Sequence, residues 1–137
     1  MRNTLILAMV LFCATIQGCG VAYHQNATNL AQTAKAEDYG PMPTDYENTI
    51  RSFMEVVLID PESARYSNWG TPRQAIIQSD VASPTPILGW QVDVYVNAKN
   101  RMGGYTGAKQ YGFFFTNNRV YAHGEMRNGR YWWDYAR

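Results

Sequence analysis

The chain is poor in cysteine: only Cys13 and Cys19 occur among its 137 residues. Residues 20–137 therefore contain no thiol, which excludes disulfide cross-links, thiolate metal sites and a cysteine nucleophile from that part of the chain. A domain built from these residues must be stabilised by its apolar core alone. Their number is sufficient for one modest domain with a core of its own.

The sequence also lacks the common motifs of catalytic and metal sites. The only histidines are His24 and His123, and neither H-E-x-x-H nor G-x-S-x-G occurs. The stretch that begins at Gly107 lacks the G-K-[ST] of a phosphate-binding loop. Asp93 and Glu125 could face each other across strands, as glycosidase carboxylates do, although Asp93 is expected on a solvent face. We therefore predict a protein that is not an enzyme, with no catalytic residue, metal or cofactor.

An excess of one charge is absent as well. The chain has 12 lysines and arginines against 11 aspartates and glutamates, and they are scattered along it. Because there is no basic stripe, nucleic acid is not an expected partner. The apolar run at residues 5–12 is too short to span a bilayer. With Arg2 before it and Gly18 after it, this run is typical of a secretory signal peptide.

The residues that end this signal, I-Q-G-C at 16–19, resemble the lipobox of bacterial lipoproteins. The resemblance implies that Cys19 is acylated and becomes the new N-terminus. Two or more acyl chains hold a protein firmly on a bilayer, whereas one binds only weakly. In such lipoproteins a residue other than aspartate after the cysteine, here Gly20, favours the outer membrane, with the domain facing the periplasm. The alternative is an ordinary signal peptide that is cut nearby.

Composition divides the chain into three parts: a signal peptide at 1–18, the lipidated cysteine and a flexible tether at 19–43, and a small domain at 44–137. The tether is rich in small polar residues and ends in a Gly-Pro-rich stretch. The sequence T-D-Y-E at 44–47 predicts a capping box. Apolar residues at helical spacing follow as far as Leu58, and they predict an amphipathic helix.

The rest of the domain is typical of strands and tight turns. Pro61 after Asp60 predicts a one-turn helix. The segment at 81–86, with two prolines, predicts a loop or a sheet edge. The predicted strands are 74–80, 90–97, 110–116, 119–125 and 131–135, with turns at 117–118 and 128–129. We therefore expect an α+β fold, in which one N-terminal amphipathic helix packs on an antiparallel β-meander of about four or five strands.

Two motifs within the domain carry a second resemblance. They are D-P-E-S-A-R-Y at 60–66 and V-N-A-K-N-R-M-G-G-Y-T-G at 96–107. Together they resemble a module of many small bacterial proteins, with the patterns D-P-x-S-A-x-Y and V-N-A-K-N-x-x-G-G-Y-T-G, over roughly residues 46–120. That module has no assigned activity. The resemblance therefore implies a fold and a bacterial origin, and it transfers no catalytic residue.

Two groups of residues are candidates for binding. The first lies on the glycine-rich connection and consists of Asn97, Lys99, Asn100, Arg101 and Tyr105. The alternative for this connection is that it packs on its own aromatic residues. The second group is Trp132 and Trp133, since exposed aromatic residues near arginines are favoured at protein interfaces and also stack on sugar rings. The alternative for this pair is one ring in the core and one over an edge strand.

These observations lead to one main hypothesis and two alternatives. The main hypothesis is a lipid-anchored, non-catalytic binding or assembly module that docks a protein of the cell envelope. One alternative is an inhibitor of a lysozyme-like envelope-degrading enzyme, with residues 97–107 inserted into the active-site cleft. The other is a peptidoglycan binder that uses Trp132 and Trp133.

Overall fold

The structure, a computed structural model, describes residues 29–78 and 86–136. The predicted signal peptide, Cys19 and the first part of the predicted tether lie outside the described residues. Residues Ala34–Arg137 belong to one compact unit. In the described ranges, no helix is both long and apolar enough to cross a membrane.

The fold is mixed α+β, with a six-stranded antiparallel sheet. Helix α1 is Tyr46–Val57, and the strands are β1 (Arg65–Ser67), β2 (Arg73–Gln78), β3 (Pro86–Asn97), β4 (Lys109–Thr116), β5 (Arg119–Arg127) and β6 (Arg130–Tyr135). The strand order is β1-β3-β4-β5-β6, and β2 also pairs with β3. The expected number of four or five strands is wrong, because β1 is too short to show an alternating pattern.

Strand β3 is the centre of the sheet. On one side it pairs with β4, and on the other it pairs first with β2 and then, at its end, with β1. Between β1 and β2, Asn68 adopts a left-handed conformation with φ 51°. The Gly70 N–H then donates to the Asp93 carbonyl oxygen over 2.7 Å, which keeps this interruption against β3. Pro86 is the first residue of β3, a position that needs no ladder donor. The rest of the segment predicted as a loop or a sheet edge, residues 81–85, lies outside the described residues.

Helix α1 covers the apolar face of this central strand. Its residues Ile50 and Met54 are fully buried, and they pack in one cluster with Val92, Val94, Val96, Phe113 and Phe115. The alternation predicted for 90–97 therefore has the expected apolar face. The helix starts differently from the prediction, because its N-cap is Asp45 and not Thr44. The Asp45 carboxylate accepts a hydrogen bond from the Asn48 side chain over 2.8 Å, and the predicted capping box does not form.

The second face of the sheet encloses a smaller cluster without help from α1. Its buried members are Ile77, Phe114 and Ala122, and Trp133 packs against them. The sheet curls around this cluster, because the Tyr135 hydroxyl at the end of β6 donates to the Gln78 carbonyl oxygen of β2 over 2.6 Å. A bulge between Phe114 and Phe115 adds to the local twist.

Asparagine builds both predicted two-residue turns. Asn117 and Asn118 have φ of 50° and 60°, and Asn128 and Gly129 have φ of 52° and 77°. Two successive positive φ values match the right-handed twist of the flanking strands, so these tight turns fix the register of β4, β5 and β6. Both turn predictions are confirmed.

The residues that precede α1 were expected to form a tether, and part of this segment contacts the sheet. A 3-10 turn spans Ala36–Tyr39. The Trp90 indole N–H donates to the Gly40 carbonyl oxygen over 3.1 Å. Pro43 is buried. The chain is therefore held against β3 several residues before the helix begins.

Gly124 is a position where any side chain is expected to destabilise the sheet. A Cβ at Gly124 would overlap the backbone carbonyl oxygen of Trp132. We expect Gly124→Ala to lower the free energy of unfolding by about 1–3 kcal/mol, the usual cost of overpacking. Urea denaturation measures the change. The control is Gly104→Ala, where the nearest atom, Oδ1 of Asn100, is 3.8 Å away; equal losses in both variants would contradict this account.

Candidate functional site

The glycine-rich connection folds into a short hairpin at residues 99–105, and Asn100 organises it. Lys99 and Tyr105 form an antiparallel bridge. The Asn100 N–H donates to the Gly104 carbonyl oxygen, and the Gly103 N–H donates to the Asn100 carbonyl oxygen, both over 2.9 Å. The Asn100 side-chain oxygen also accepts from the N–H groups of Met102 and Gly104, over 2.9 and 3.1 Å. Asn100, a predicted binding residue, therefore stabilises the turn.

Ser63 joins this hairpin to the turn that follows α1. The Lys99 N–H donates to the Ser63 hydroxyl over 2.9 Å, and the Tyr105 hydroxyl donates to the Ser63 carbonyl oxygen over 3.1 Å. Ser63 is itself placed by Asp60, which caps the predicted one-turn helix at Pro61–Ser63. The Ser63 hydroxyl donates to the Asp60 carbonyl oxygen over 2.7 Å. Hydrogen bonds of Ser63 thus link the two sequence motifs at 60–66 and 96–107.

The outer surface of the 99–105 hairpin is apolar and cationic. Met102, at its tip, is 95% exposed, and Arg101 beside it is also exposed. The Arg65 guanidinium carbon lies 4.5 Å from the centre of the Tyr105 ring, and the Lys99 ammonium nitrogen lies 5.8 Å from it. Cations near the face of an aromatic ring are attracted by its quadrupole. Arg65, Lys99 and Tyr105 therefore lie together at this hairpin, and the predicted role of Lys99, Arg101 and Tyr105 in binding stays a prediction.

Asn97 does not belong to that surface. It is the last residue of β3 and pairs with Arg65 of β1. Its side-chain oxygen is buried and has no hydrogen-bond partner among the described residues. The exposed Met102 was not among the predicted binding residues, because a lone methionine between arginine and glycine carries no motif.

Two further exposed apolar residues precede Ser63 in the chain, and the sequence analysis did not identify them. Val56, near the end of α1, is 83% exposed, and Ile59, just before Asp60, is 63% exposed. A signal for Val56 was present, since it falls outside the apolar stripe of the helix. Both residues precede Ser63 in the chain, and Ser63 holds the 99–105 hairpin.

Trp132 and Trp133 lie on opposite faces of the sheet. The Trp133 ring packs on the second cluster, with its centre 6.4 Å from that of Phe114. Trp132 is 66% exposed and stands opposite Glu125 of β5. The alternative of one ring in the core and one over an edge strand is therefore the arrangement that the structure has.

Trp132 lines an open cleft of about 420 Å³, which we call the Trp132 cleft. The lining also includes Val57 at the end of α1, Tyr111 of β4, His123, Glu125 and Arg127 of β5, and Asp134 of β6. The sequence separates these residues widely. Only the pairing of β4, β5 and β6 brings them together, which is why no motif indicated the cleft.

Two charged groups of the Trp132 cleft, Glu125 and Arg127, are paired with each other. The Glu125 carboxylate lies 2.8 Å from the Arg127 guanidinium and 3.2 Å from the Lys109 ammonium. The hydrogen bond from Arg127, followed by that from Lys109, outweighs burial and holds the pKa of Glu125 below its ordinary value. Glu125 is therefore ionised at neutral pH.

His123 of β5 packs against two aromatic rings. Its ring is half-buried, with its centre 4.9 Å from that of Phe53 and 6.3 Å from that of Phe113. Burial lowers the pKa of His123, and the nearby Asp134 opposes this effect only in part. The imidazole is neutral at neutral pH, and its Nδ1 has no hydrogen-bond partner within the described ranges.

Asp93 and Glu125 do not form a pair of facing carboxylates. Asp93 stands opposite Gly112 and Glu125 stands opposite Tyr111, so the two side chains leave the sheet on different faces. This geometry prevents the two groups from flanking one glycosidic bond, as a hydrolase of that type requires. The possibility raised by the sequence for this pair is therefore wrong.

Asp93 instead anchors a polar network on the second face. Its carboxylate accepts from the Arg73 guanidinium over 2.8 Å and from the Gln91 amide over 2.7 Å. Burial acts to raise the pKa of Asp93, but hydrogen bonds from Arg73, Gln91 and Tyr131 together lower it below its ordinary value. Burial, and then the hydrogen bond to Asp93, raise the pKa of the Tyr131 hydroxyl. The expected solvent-facing Asp93 is in fact half-buried and fully partnered.

No group of three histidine, cysteine, aspartate or glutamate side chains in the described part of the chain could hold a metal ion. No protein-family model, curated protein or solved structure matches this chain. The site must therefore be interpreted from its own geometry.

Removal of the Ser63 hydroxyl should loosen the 99–105 hairpin without unfolding the sheet. We expect Ser63→Ala to cost about 1 kcal/mol of stability, the net value of a typical hydrogen bond. Exchange of the Lys99 amide hydrogen should accelerate, because that amide donates to the hydroxyl. Hydrogen exchange followed by NMR measures both effects. The control is Ser67→Ala in exposed β1; unchanged exchange at Lys99 would refute the role of Ser63.

The Asp93 network should make the protein sensitive to acid. The pKa of Asp93 is lower in the folded protein, so its contribution is complete above the ordinary carboxyl pKa of about 4 and is lost as the pH falls through the folded value. We expect Asp93→Asn to lower the free energy of unfolding by about 2 kcal/mol at pH 7, and by much less near pH 2. Urea denaturation across this pH range measures the difference. The control is the exposed carboxylate of Glu62, and the same pH dependence in Glu62→Gln would count against the network.

Proposed function

We propose that this chain is a lipid-anchored binding or assembly module that faces the periplasm from the outer membrane, without a catalytic role. Its partner is a protein of the cell envelope, which docks on the outer surface of the 99–105 hairpin. The observation that carries the proposal is the exposed Met102 at the tip of a hairpin whose backbone is fixed by Asn100 and Ser63.

Fixation of the hairpin supports a docking role because it lowers the entropic cost of binding. A loop that is ordered before contact loses little conformational freedom when a partner covers it. Four hydrogen bonds hold the turn itself, and two more join it to Ser63. Burial of the methionine side chain in a partner would contribute about 1.5–3 kcal/mol. Burial of Met102 can thus favour binding while the hairpin loses little conformational entropy.

The composition of the surface also supports protein contacts. Methionine, tyrosine and arginine are enriched where proteins meet, and all three lie on or beside the hairpin as Met102, Tyr105, Arg65 and Arg101. Val56 and Ile59, near the end of α1, are further exposed apolar residues.

The anchor is supported by sequence alone, through the signal at 1–18, Cys19 and Gly20. If Cys19 carries the lipid, the domain stays within reach of one membrane surface. Attachment there raises the effective concentration of the module for a partner in the same envelope. A modest contact at the 99–105 hairpin is then sufficient for a stable assembly.

Site-specific photo-crosslinking in cells tests the docking surface. A photo-reactive amino acid replaces Met102, and a matched variant carries it at exposed Glu47, in the first turn of α1. We expect a discrete protein adduct from position 102, absent from position 47, because only the hairpin tip contacts the partner. Mass spectrometry identifies the adduct, and lipid labelling of the wild type and Cys19→Ala checks the anchor.

The outcomes separate the competing functions. An adduct with an envelope component supports the docking module, whereas an adduct with an added lysozyme, together with loss of its activity, identifies an inhibitor. Equal adducts from positions 102 and 47, or none from position 102, would overturn the proposed surface. Lipid labelling that persists in Cys19→Ala would overturn the proposed anchor and leave the test of the hairpin intact.

A further inference from the structure

We propose that the Trp132 cleft binds a neutral carbohydrate chain. This site is separate from the 99–105 hairpin and does not depend on the protein contact made there. It is formed by the β5–β6 hairpin together with Tyr111 of β4 and the end of α1.

The size and walls of the cleft suit a sugar of one to a few rings. Its volume of about 420 Å³ lies within the usual range of small-ligand sites. Trp132 is exposed on one side, and Val57 at the end of α1 is partly exposed on another. A pyranose has an apolar face of C–H groups, which matches an exposed aromatic side chain with an apolar neighbour. A polar edge must then surround that contact.

The lining supplies such an edge. Glu125 and Asp134 offer carboxylate oxygens as acceptors, and Arg127 offers guanidinium donors. A sugar hydroxyl both donates and accepts, so it can bind between such groups without a net change of charge. Arg127 remains partly exposed while it is paired with Glu125, and therefore keeps donors available to a ligand.

The charge of the cleft argues against an anionic ligand. Glu125 is already compensated by Arg127 and Lys109, and His123 is neutral because burial lowers its pKa. An anionic ligand would compete with Glu125 for Arg127, and it would also face the carboxylate of Asp134, for which the described residues supply no ion pair. A neutral polyol leaves these ion pairs intact.

Calorimetric titration of the full chain in detergent tests the proposal. The probes are three uncharged trisaccharides, namely chitotriose, cellotriose and maltotriose. We expect at least one to bind, and Trp132→Ala to weaken that binding about tenfold or more, as loss of an aromatic contact predicts. Trp132→Phe should keep most of the affinity because it keeps a ring. Met42→Ala, a change at an exposed apolar residue that does not line the cleft, should bind like the wild type.

Two checks keep each result decisive. The first is near-ultraviolet circular dichroism, which shows whether Trp132→Ala is folded. The second is Arg127→Gln, which removes a polar donor and leaves the Trp132 ring in place, so this variant should also bind the trisaccharide more weakly. No binding of any trisaccharide at millimolar concentration would overturn the proposal. So would binding that survives both cleft substitutions, or a cross-link from position 132 that recovers only protein. None of these results bears on the adduct expected from position 102.

Discussion

The register of β3 is the constraint on which the rest of the structure depends. Its even-numbered residues from Trp90 to Val96 lie under α1, while Gln91 and Asp93 belong to the polar network of the other face. A slip of one residue would exchange the two faces. It would place a carboxylate under Ile50 and Met54 of the helix, where no partner could compensate its burial. This strand pairs with β1 and β2 on one side and with β4 on the other. Its register therefore determines which side chains of the three partner strands face α1.

The sequence predicted the parts of this fold that follow from local rules. Alternation located β3 and β4, and asparagine in the turns located the two tight hairpins, because positive φ is tolerated by few other residues. The three-residue β1 could not be predicted, since it exists only as a partner of the end of β3. The prediction of the helix N-cap was wrong for a similar reason. Threonine and aspartate are both favoured at this position, so the residue types of Thr44 and Asp45 could not show which of them caps the helix.

The candidate sites show the same division between local and long-range information. Residues 60–66 and 96–107 were each recognisable, but their contact through Ser63 spans 36 positions along the chain. The opposite faces of Asp93 and Glu125 depend on the register of three strands, one of them bulged near Phe114. The sequence also could not show which of the two tryptophans is exposed. Trp132 and Trp133 are the same residue type, and they differ only in the face of the sheet from which they project. The sequence indicated the candidate residues, and the pairing of the strands determined the face of the sheet on which each of them lies.

The approach of β6 to β2 has a consequence for how copies of this protein behave when crowded. Strand edges offer unpaired backbone groups that can template growth of a sheet from one molecule to the next. Here the Tyr135 hydroxyl takes the Gln78 carbonyl oxygen at the β2 edge. The same edge is broken before β2 by Pro72, and β6 carries the charged residues Arg130 and Asp134. Proline and charged residues at sheet edges are features that disfavour the addition of a strand from another molecule.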